Sequence, residues 1–266
     1  MDFGEDQIRR YARHIILPEV GGAGQARLLE SRVLVVGAGG LGSPVILYLA
    51  AAGVGTIGVI DDDVVDVSNL QRQVLHATSR IGSAKVDSAV AAVAAINPDV
   101  RVVPIKARLD KDNARAIVAD YPVVADGSDN FPTRFLVNDA CRLEGCTLVS
   151  AAILRFDGQL STFKPGGPCY RCIYREPPPE DHVPSCAQAG VLGAIAGTMG
   201  ALQATEVLKE LLGIGEGMAG RLLIYDALAV TFRDVRVRRD PGCPVCGDHP
   251  TITDLSDHGD TARVCG

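Results

Sequence analysis

Runs of branched aliphatic residues alternate with helical patterns along the chain, and this alternation predicts an α/β fold. Residues 33–36 form an apolar run that enters a glycine cluster, and residues 43–53 read as an alanine- and leucine-rich helix. A second apolar run, residues 56–60, ends at an aspartate. A strand, tight turn, helix and second strand in this order are typical of a parallel sheet with crossover helices.

The pattern continues through most of the chain. We predict further helices over residues 5–16, 25–30, 84–96 (with Ser83 as its cap), 111–120, from about 130 to 144, and 189–212. We predict further strands over residues 100–105, 122–125, 147–151, 160–163, 221–225 and 230–237. Residues 160–163 should pair antiparallel, because no crossover helix precedes them. The predicted fold class is a Rossmann-like, mostly parallel sheet with helices on both faces, continued by antiparallel strands and a cysteine knuckle.

The glycine cluster after the first strand fits G-x-G-x-x-G with Gly37, Gly39 and Gly42. Glycines permit a sharp turn and let the backbone approach a phosphate, and the N-terminus of the following helix offers free N–H groups. Asp61 ends the second strand, where an acid that binds a ribose would lie. The pattern predicts a nucleotide site; the alternative is a glycine-rich turn that binds nothing.

Composition narrows the classes of protein and partner. With 266 residues the chain can form one large α/β domain or two small ones. Its net charge of −6 argues against nucleic acid, because phosphate backbones require basic patches. The first ten residues lack an apolar run, so we predict no signal peptide and a cytoplasmic location. The helix predicted over residues 189–212 is too polar for a bilayer and favours a buried or interface position, so no membrane partner is expected.

Four of the eight cysteines form two C-x-x-C pairs, Cys169 with Cys172 and Cys243 with Cys246. Four thiolates can close a tetrahedral zinc site that leaves no position open for water, so the predicted role is structural. The zinc would join the C-terminal part of the chain to its body. The alternative is two redox-active or merely buried dithiols. Beyond the second pair, residues 248–266 are predicted to be a flexible tail.

Polar residues follow the predicted strands at the edge where open α/β sheets bind ligands. Arg72 and Lys85 would face a triphosphate, and Asp129 would hold Mg²⁺, which prefers carboxylate oxygens. Together they predict nucleotide transfer by positioning and charge stabilisation. The alternatives are a solvated acidic loop at residues 61–66, an exposed lysine, and a simple helix cap at Asp129 or Asn130.

Seven motifs stand in order along the chain. They are Arg10-Tyr11-x-Arg13-His14, Gly37-x-Gly39-Gly40-Leu41-Gly42, Ser68-Asn69-Leu70-Gln71-Arg72-Gln73, Lys85-Val86, Ser128-Asp129-Asn130, Cys169-Tyr170-Arg171-Cys172 and Cys243-Pro244-Val245-Cys246. This set resembles the ThiF/MoeB adenylyltransferases, the bacterial relatives of ubiquitin-activating E1 enzymes. The resemblance implies one E1-like adenylation domain over residues 1–247. Its nucleotide-binding part would span about residues 30–150, and its carrier-binding and zinc part about 151–247.

The resemblance also implies a reaction. Such an enzyme binds MgATP and a small β-grasp sulfur-carrier protein that ends in Gly-Gly. The terminal carboxylate of the carrier attacks the α-phosphate, which gives an acyl-adenylate and pyrophosphate. Sulfur transfer to that acyl group then makes a thiocarboxylate. The pathway served, such as molybdopterin or thiamin biosynthesis, stays open.

Residue roles follow from the motif positions. The resemblance places the glycine turn on the phosphates, Asp61 on the ribose, and Mg²⁺ on Asp129. Phosphates and leaving pyrophosphate would be bound by Asn69, Arg72 and Lys85. The remaining residues implied at the nucleotide site are Ser68, Gln73 and Asn130.

A homodimer is implied as well, with Arg13 reaching the site of the other subunit. Cys186 matches a loop cysteine that is joined covalently to the carrier in some relatives, although an incidental exposed thiol fits the sequence equally. Some members of the family carry a C-terminal rhodanese domain that supplies the sulfur; the sequence after the second C-x-x-C pair is too short for one, so we expect a separate persulfide donor. Two other functions stay open: a nicotinamide-dependent oxidoreductase, in which Arg13, Arg72 and Lys85 lack a role, and a non-catalytic E1-like binding module.

Overall fold

The computed structural model of the chain describes residues 3–178 and 190–259. The strands are β1 Arg32–Val36, β2 Thr56–Ile60, β3 Arg101–Ile105, β4 Val123–Asp126, β5 Thr147–Leu154, β6 Asp157–Phe163, β7 Arg221–Asp226 and β8 Thr231–Arg236. The helices are α1 Glu5–Ile15, α2 Gly21–Glu30, α3 Gly42–Ala52, α4 Lys85–Ile96, α5 Ala114–Val118, α6 Phe131–Glu144 and α7 Gly193–Leu212.

One eight-stranded sheet carries the fold, in the order β3-β2-β1-β4-β5-β6-β7-β8. Strands β1 to β5 pair in parallel, and β6, β7 and β8 are added antiparallel. The predicted α/β class and the antiparallel pairing of residues 160–163 are therefore confirmed. Strand order reverses between β1 and β4, and such a switch point opens a crevice at the carboxyl ends of the strands.

The buried strands explain the layers on both faces of the sheet, because successive side chains of a strand point to opposite faces. Val33 and Val35 of β1 join a core cluster with α3, α4 and α7. Leu34 and Val36 join a second cluster with α5 and α6. Alternate side chains of this fully apolar strand therefore pack into two separate cores. Helices cover both faces of the sheet, as predicted.

Several element ends differ from the predictions for local reasons. Helix α2 begins at Gly21, earlier than the predicted start at residue 25. Helix α5 is only five residues long, because the Asp110 carboxylate accepts the N–H groups of Asp112 and Asn113 and holds a turn before it. Ser83 does not cap α4: the N-cap residue is Ala84, without a side-chain hydrogen bond. Asn130 does cap α6, accepting the Thr133 N–H at 2.9 Å.

The region after the second C-x-x-C pair is packed against the body as far as residue 259. Leu255 is buried in the cluster around α5 and α6, and His258 Nε2 lies 2.8 Å from Asp139 Oδ2. The predicted flexible tail over residues 248–266 did not include these contacts of Leu255 and His258. No helix in the described part of the chain combines the length and apolar character that a membrane crossing requires.

Candidate functional site

A cleft of about 490 Å³ opens at the carboxyl edge of the parallel strands, at the reversal of strand order. Residues after β1, β2, β3 and β4 form its walls. Predicted residues that line it are Gly37, Gly39, Gly40, Asp61, Asn69, Arg72, Gln73, Lys85, Asp129 and Asn130. The fold therefore brings most of the predicted nucleotide site together, in a volume typical of small-molecule pockets.

The turn after β1 needs glycine at two places for reasons within the protein. Gly37 has φ of +88°, which L side chains rarely adopt. At Gly42, where α3 begins, a Cβ would overlap the Gly37 carbonyl oxygen. Gly42 lies beneath the turn rather than on the cleft wall.

Gly39 and Gly40 differ from these two, because among the described residues no atom outside their own chain neighbours lies closer than 3.4 Å to the place of an added Cβ. Both line the cleft, and their N–H groups donate no hydrogen bond within the part of the chain that the structure describes. Free N–H groups ahead of a helix N-terminus form an anion site. The free N–H groups of Gly39 and Gly40 therefore make this part of the cleft suitable for a phosphate.

Asp61 holds the glycine turn in place. Its Oδ2 accepts the Ala38 N–H at 2.8 Å, and its Oδ1 accepts the Asp63 N–H at 2.9 Å. Burial raises the pKa of Asp61, although nearby Lys85 counteracts the effect. The sequence did not foresee this contact with Ala38; the predicted ribose contact remains a prediction.

Lys85 is buried at the start of α4, with a side chain that is 6% exposed. Its Nζ lies 2.9 Å from Asp63 Oδ2. A buried cation in the first turn opposes the helix dipole, so it needs an anion, and one carboxylate now supplies it. The alternative of an exposed lysine is wrong. The acidic loop is not simply solvated either, since Asp62 Oδ2 lies 3.4 Å from Arg108 Nε.

The segment from Ser68 to Gln73 forms one wall of the cleft. Arg72 donates to the Ser68 carbonyl at 3.0 Å, and Asn69 is buried. Gln73 is 4% exposed, and its Oε1 has no hydrogen-bond partner among the described residues. A buried acceptor without a donor is costly, and Gln73 carries that cost beside the cleft. Ser68 lies off the cleft wall, where its hydroxyl donates to Asp66 at 2.6 Å.

The turn after β4 is anchored from below by a buried carboxylate. Asp126 is fully buried and accepts hydrogen bonds from Ser128 N at 3.0 Å and Ser150 Oγ at 2.9 Å. Arg134, buried on α6, donates to the Ser128 carbonyl and to the Ala151 carbonyl. Asp129 is thereby presented to the cleft on a fixed turn. Its pKa is raised by loss of solvation at the cleft wall.

Sequence reasoning missed Arg134 and His76, which support the site from behind. His76 is buried between the glycine turn and α4, and Arg134 holds the Asp129 turn. Both stand close to predicted motifs: His76 is three residues after Gln73, and Arg134 four after Asn130. Closeness to these motifs was the sequence signal that could have identified the two residues. Their hydrogen-bond partners depend on tertiary packing and could not be read from the sequence.

Arg13 lies at the opposite edge of the sheet from the cleft. Helix α1 is fixed by buried Tyr11, whose hydroxyl accepts from Asn97 Nδ2 at 2.8 Å, and by Arg10, which donates to the Ile96 carbonyl at 2.7 Å. Both contacts are at the C-terminal end of α4, and Tyr11 also packs against Gly53 after α3. The 11 residues of α3 alone separate the two edges by roughly 16 Å. Arg13 is exposed there.

The four predicted cysteines form one cluster, in which all four Sγ atoms lie within 4.8 Å of one another. Cys169 Sγ lies 3.5 Å from Cys243 Sγ, and Cys172 Sγ lies 3.3 Å from Cys246 Sγ. A tetrahedron of 2.3 Å zinc–sulfur bonds needs sulfur separations of roughly 3.8 Å, so the donor set fits zinc. Hydrogen bonds from the Cys169 thiol and the Asp240 N–H lower the pKa of Cys172.

Arg171, inside the first C-x-x-C pair, links the cluster to α6. Its guanidinium makes a bidentate ion pair with fully buried Asp139, at 2.7 Å for the closest contact. His258 and Asn138 also bond to this carboxylate. These partners lower the pKa of Asp139 despite its burial. Cys186 falls outside the described residues.

The sequence profile of the ThiF family matches residues 11–245 of this chain. The SAMP-activating enzyme E1 of Haloferax volcanii is 57% identical over 242 residues, 91% of this chain and 90% of that protein. The sulfur carrier protein adenylyltransferase of Thermus thermophilus is 52% identical over 264 residues, 97% of each chain. The crystal structure of E. coli MccB with MccA-N7isoASN has a TM-score of 0.79 at 22% identity, covers 90% of this chain and 74% of that one, and shares the fold. The chain therefore belongs to the ThiF family.

Proposed function

We propose that this chain adenylates the C-terminal Gly-Gly carboxylate of a small β-grasp sulfur-carrier protein, using ATP and releasing pyrophosphate. The observation that carries the proposal is the cleft of a ThiF-family chain that joins free N–H groups, cations and a carboxylate at one sheet edge. Relatives of similar length carry names for this class of reaction, the SAMP-activating enzyme E1 and the sulfur carrier protein adenylyltransferase.

The nucleotide would lie along the cleft with its phosphates on the glycine turn. Free N–H groups of Gly39 and Gly40 would bind phosphate oxygens, and Asp61 would face the ribose. Lys85 would exchange its ion pair with Asp63 for a phosphate, assisted by Arg72 and by Asn69, Gln73 and Asn130. Mg²⁺ held by Asp129 would neutralise charge on the phosphates.

The reaction needs positioning rather than a proton shuttle. A carboxylate oxygen of the carrier attacks the α-phosphorus, a new oxygen–phosphorus bond forms, and the bond to pyrophosphate breaks. The attacking carboxylate is ionised at neutral pH, so no general base is required. Charge moves onto the leaving pyrophosphate, where Lys85 and Arg72 stabilise it electrostatically.

A homodimer forms part of the proposal, because Arg13 lies on the edge of the sheet opposite to its own cleft. We infer that it contacts the nucleotide bound by the partner subunit. A single chain then carries an incomplete site, and assembly completes it.

The carrier-binding part would lie in the antiparallel half of the sheet. The hairpin of β7 and β8 exposes four apolar side chains, Leu228, Val230, Phe232 and Val235. Val230 has φ of +53°, which strains a β-branched residue, and 71% of it is exposed. Apolar area on a free sheet edge favours a protein partner, and the β-grasp carrier is the occupant we propose.

Sulfur would arrive from a separate persulfide donor after adenylation, with Cys186 as a tentative covalent participant in that step. The cysteine cluster would hold structural zinc. A cluster of four cysteines arranged for a metal suits a reducing compartment, so a cytoplasmic location completes the proposal.

ATP–pyrophosphate exchange tests the function. Purified protein, MgATP and radiolabelled pyrophosphate should show exchange only when a β-grasp carrier with an intact Gly-Gly terminus is added. A carrier lacking the last glycine is the matched control. Exchange that does not depend on the carrier would contradict the proposal. Tight binding of NAD without exchange would favour an oxidoreductase, and ATP binding without exchange with any carrier would favour a non-catalytic module.

A further inference from the structure

His76 is a buried imidazole that the proposed reaction does not use. Its Nε2 lies 2.9 Å from the carbonyl oxygen of Ala38, inside the glycine turn. Its Nδ1 lies 2.8 Å from Oγ of Ser88, in the first turn of α4. One side chain therefore joins the two elements that carry the free N–H groups and the buried Lys85.

The chemistry of these two partners fixes the tautomer. A carbonyl oxygen only accepts, so Nε2 of His76 carries the proton. In the neutral ring Nδ1 then accepts a hydrogen bond from the Ser88 hydroxyl. Burial lowers the pKa of His76 and outweighs the opposing effect of the hydrogen bond to Ala38, and the charges of Lys85 and Arg80 lower it further. The ring is thus neutral at pH 7, with both nitrogens engaged.

The backbone of Ala38 is held through both of its peptide groups. Its N–H donates to Asp61 at 2.8 Å, and its carbonyl accepts from His76. Its neighbours Gly37 and Gly39 are the residues with the greatest backbone freedom. The Ala38 carbonyl and the Gly39 N–H belong to the same planar peptide group, so fixing that carbonyl also orients the Gly39 N–H at the cleft wall.

We propose that His76 is a positioning residue, which holds the glycine turn and the start of α4 at a fixed separation so that both contact one triphosphate. This inference rests on the proposed use of the cleft for ATP. His76 takes no part in proton transfer, because it lies behind the turn and its nitrogens are occupied. Misplacement of binding groups by about 1 Å can cost on the order of 100-fold in rate, so the link matters.

Two substitutions separate the two halves of the link. His76→Gln places an amide N–H near the position of Nε2 and keeps a donor for the Ala38 carbonyl. His76→Asn places its amide oxygen near Nδ1, keeps only the Ser88 side and releases the turn. We expect His76→Asn to weaken ATP binding by about 10- to 100-fold. We expect His76→Gln to stay within about tenfold of the unaltered protein.

The readout is the Kd of MgATP by calorimetric titration without carrier, followed by KM and kcat of exchange. Loss should appear in Kd and KM for ATP more than in kcat. Val33→Ala is the control, because it lowers stability from a fully buried position at the far end of β1. Its Kd should not change. An unaltered Kd in folded His76→Asn, or equal weakening in Val33→Ala, would overturn the inference.

Ser88→Ala keeps the test decisive if His76→Asn does not fold. It removes only the α4 end of the link, and we expect ATP binding to weaken by about 2- to 10-fold. Two-bond ¹H–¹⁵N spectra should show the Nε2–H tautomer of His76 in the unaltered protein. The opposite tautomer, or an unchanged Kd in Ser88→Ala, would overturn the inference. ATP binding without carrier-dependent exchange would instead count against the proposed function alone.

Discussion

The cleft and the cysteine cluster are organised in opposite ways within one sheet. At the cleft, some polar groups have no partner among the residues that the structure describes: the N–H groups of Gly39 and Gly40, and Oε1 of Gln73. At the cysteine cluster, the four sulfurs lie against one another, and the adjoining Asp139 is saturated by Arg171, Asn138 and His258. A region that binds a ligand leaves polar groups without hydrogen-bond partners in the protein, whereas a region that stabilises the fold supplies those partners.

The two regions are also supported differently. Behind the cleft, His76 and Arg134 donate hydrogen bonds to backbone carbonyls and hold two turns in place. The groups on the cleft side of these turns can therefore remain unpaired. Around the cysteines, side-chain bonds of Asp139 join α6, the first C-x-x-C pair and the C-terminal segment. Damage to the cleft should therefore affect catalysis with little loss of stability, and damage to the cluster should do the reverse.

Asp129→Asn should have the largest effect on activity. It removes the carboxylate proposed to hold Mg²⁺, and a contact of this kind is worth roughly 3–4 kcal/mol, or about 100- to 1000-fold in exchange rate. Thermal unfolding should show a Tm close to that of the unaltered protein, because Asp126 and Arg134 still anchor the turn. Asp112→Asn, at an exposed aspartate that does not line the cleft, should keep full exchange. A large fall in Tm for Asp129→Asn would show a structural role instead.

Mixing two inactive variants should restore activity if Arg13 serves the partner's cleft. Arg13→Ala and Asp129→Asn chains that exchange subunits freely would place both lesions in one site of each heterodimer. About one site in four would then be intact at equal amounts, since half of the dimers are mixed. The measurement is exchange activity after mixing, with heterodimers verified by native mass spectrometry. Absence of recovery would place Arg13 in its own subunit's site.

Cys246→Ser should abolish stoichiometric zinc and destabilise the C-terminal half. Loss of a structural metal belongs to the large single-site effects, on the order of 4 kcal/mol. Metal analysis and thermal unfolding measure the loss, while the Kd of MgATP should remain within a few-fold. Cys146→Ala is the matched control, because its thiol lies near the Val118 carbonyl, apart from the cluster. A folded, metal-free protein of unchanged Tm would contradict the zinc assignment.

Acid should destabilise the cleft region through His76. Its pKa is lowered in the fold, so the unfolded chain binds more protons as pH falls below about 6.5, and stability is lost there. His76→Gln cannot titrate, so its Tm should fall less than that of the unaltered protein between pH 7 and pH 5.5. Scanning calorimetry at matched ionic strength measures the difference. Parallel falls in both proteins would exclude this contribution.

Cys186→Ala should leave exchange unchanged. The residue belongs to a proline-rich stretch of sequence rather than to the strand ends that form the cleft. Only a later sulfur-transfer assay should respond, if any does. Loss of carrier-dependent exchange in a folded variant would show that the cysteine takes part in adenylation.

Residues close in sequence were the most predictable. The glycine turn, the strand that ends at Asp61 and the cap at Asn130 all depend on neighbours within a few positions, so local pattern predicted them. The two C-x-x-C pairs were joined across 74 positions because zinc chemistry demands four thiolates. The predicted cap of α4 also depends on close neighbours, but that prediction is wrong. Ala84 rather than Ser83 is the N-cap residue, and it pairs with Val64 in an isolated bridge.

The sequence by itself determined the alternation of strands and helices, the glycine turn and the set of cysteines, because backbone conformation and ligand chemistry act locally. Only the tertiary structure decided that Lys85 is buried against Asp63, that His76 spans from Ala38 to Ser88, and that Arg13 faces away from its own cleft. Those outcomes depend on which distant segments the sheet order brings together. No local pattern encodes that order, because it is set by the burial of two apolar faces at once.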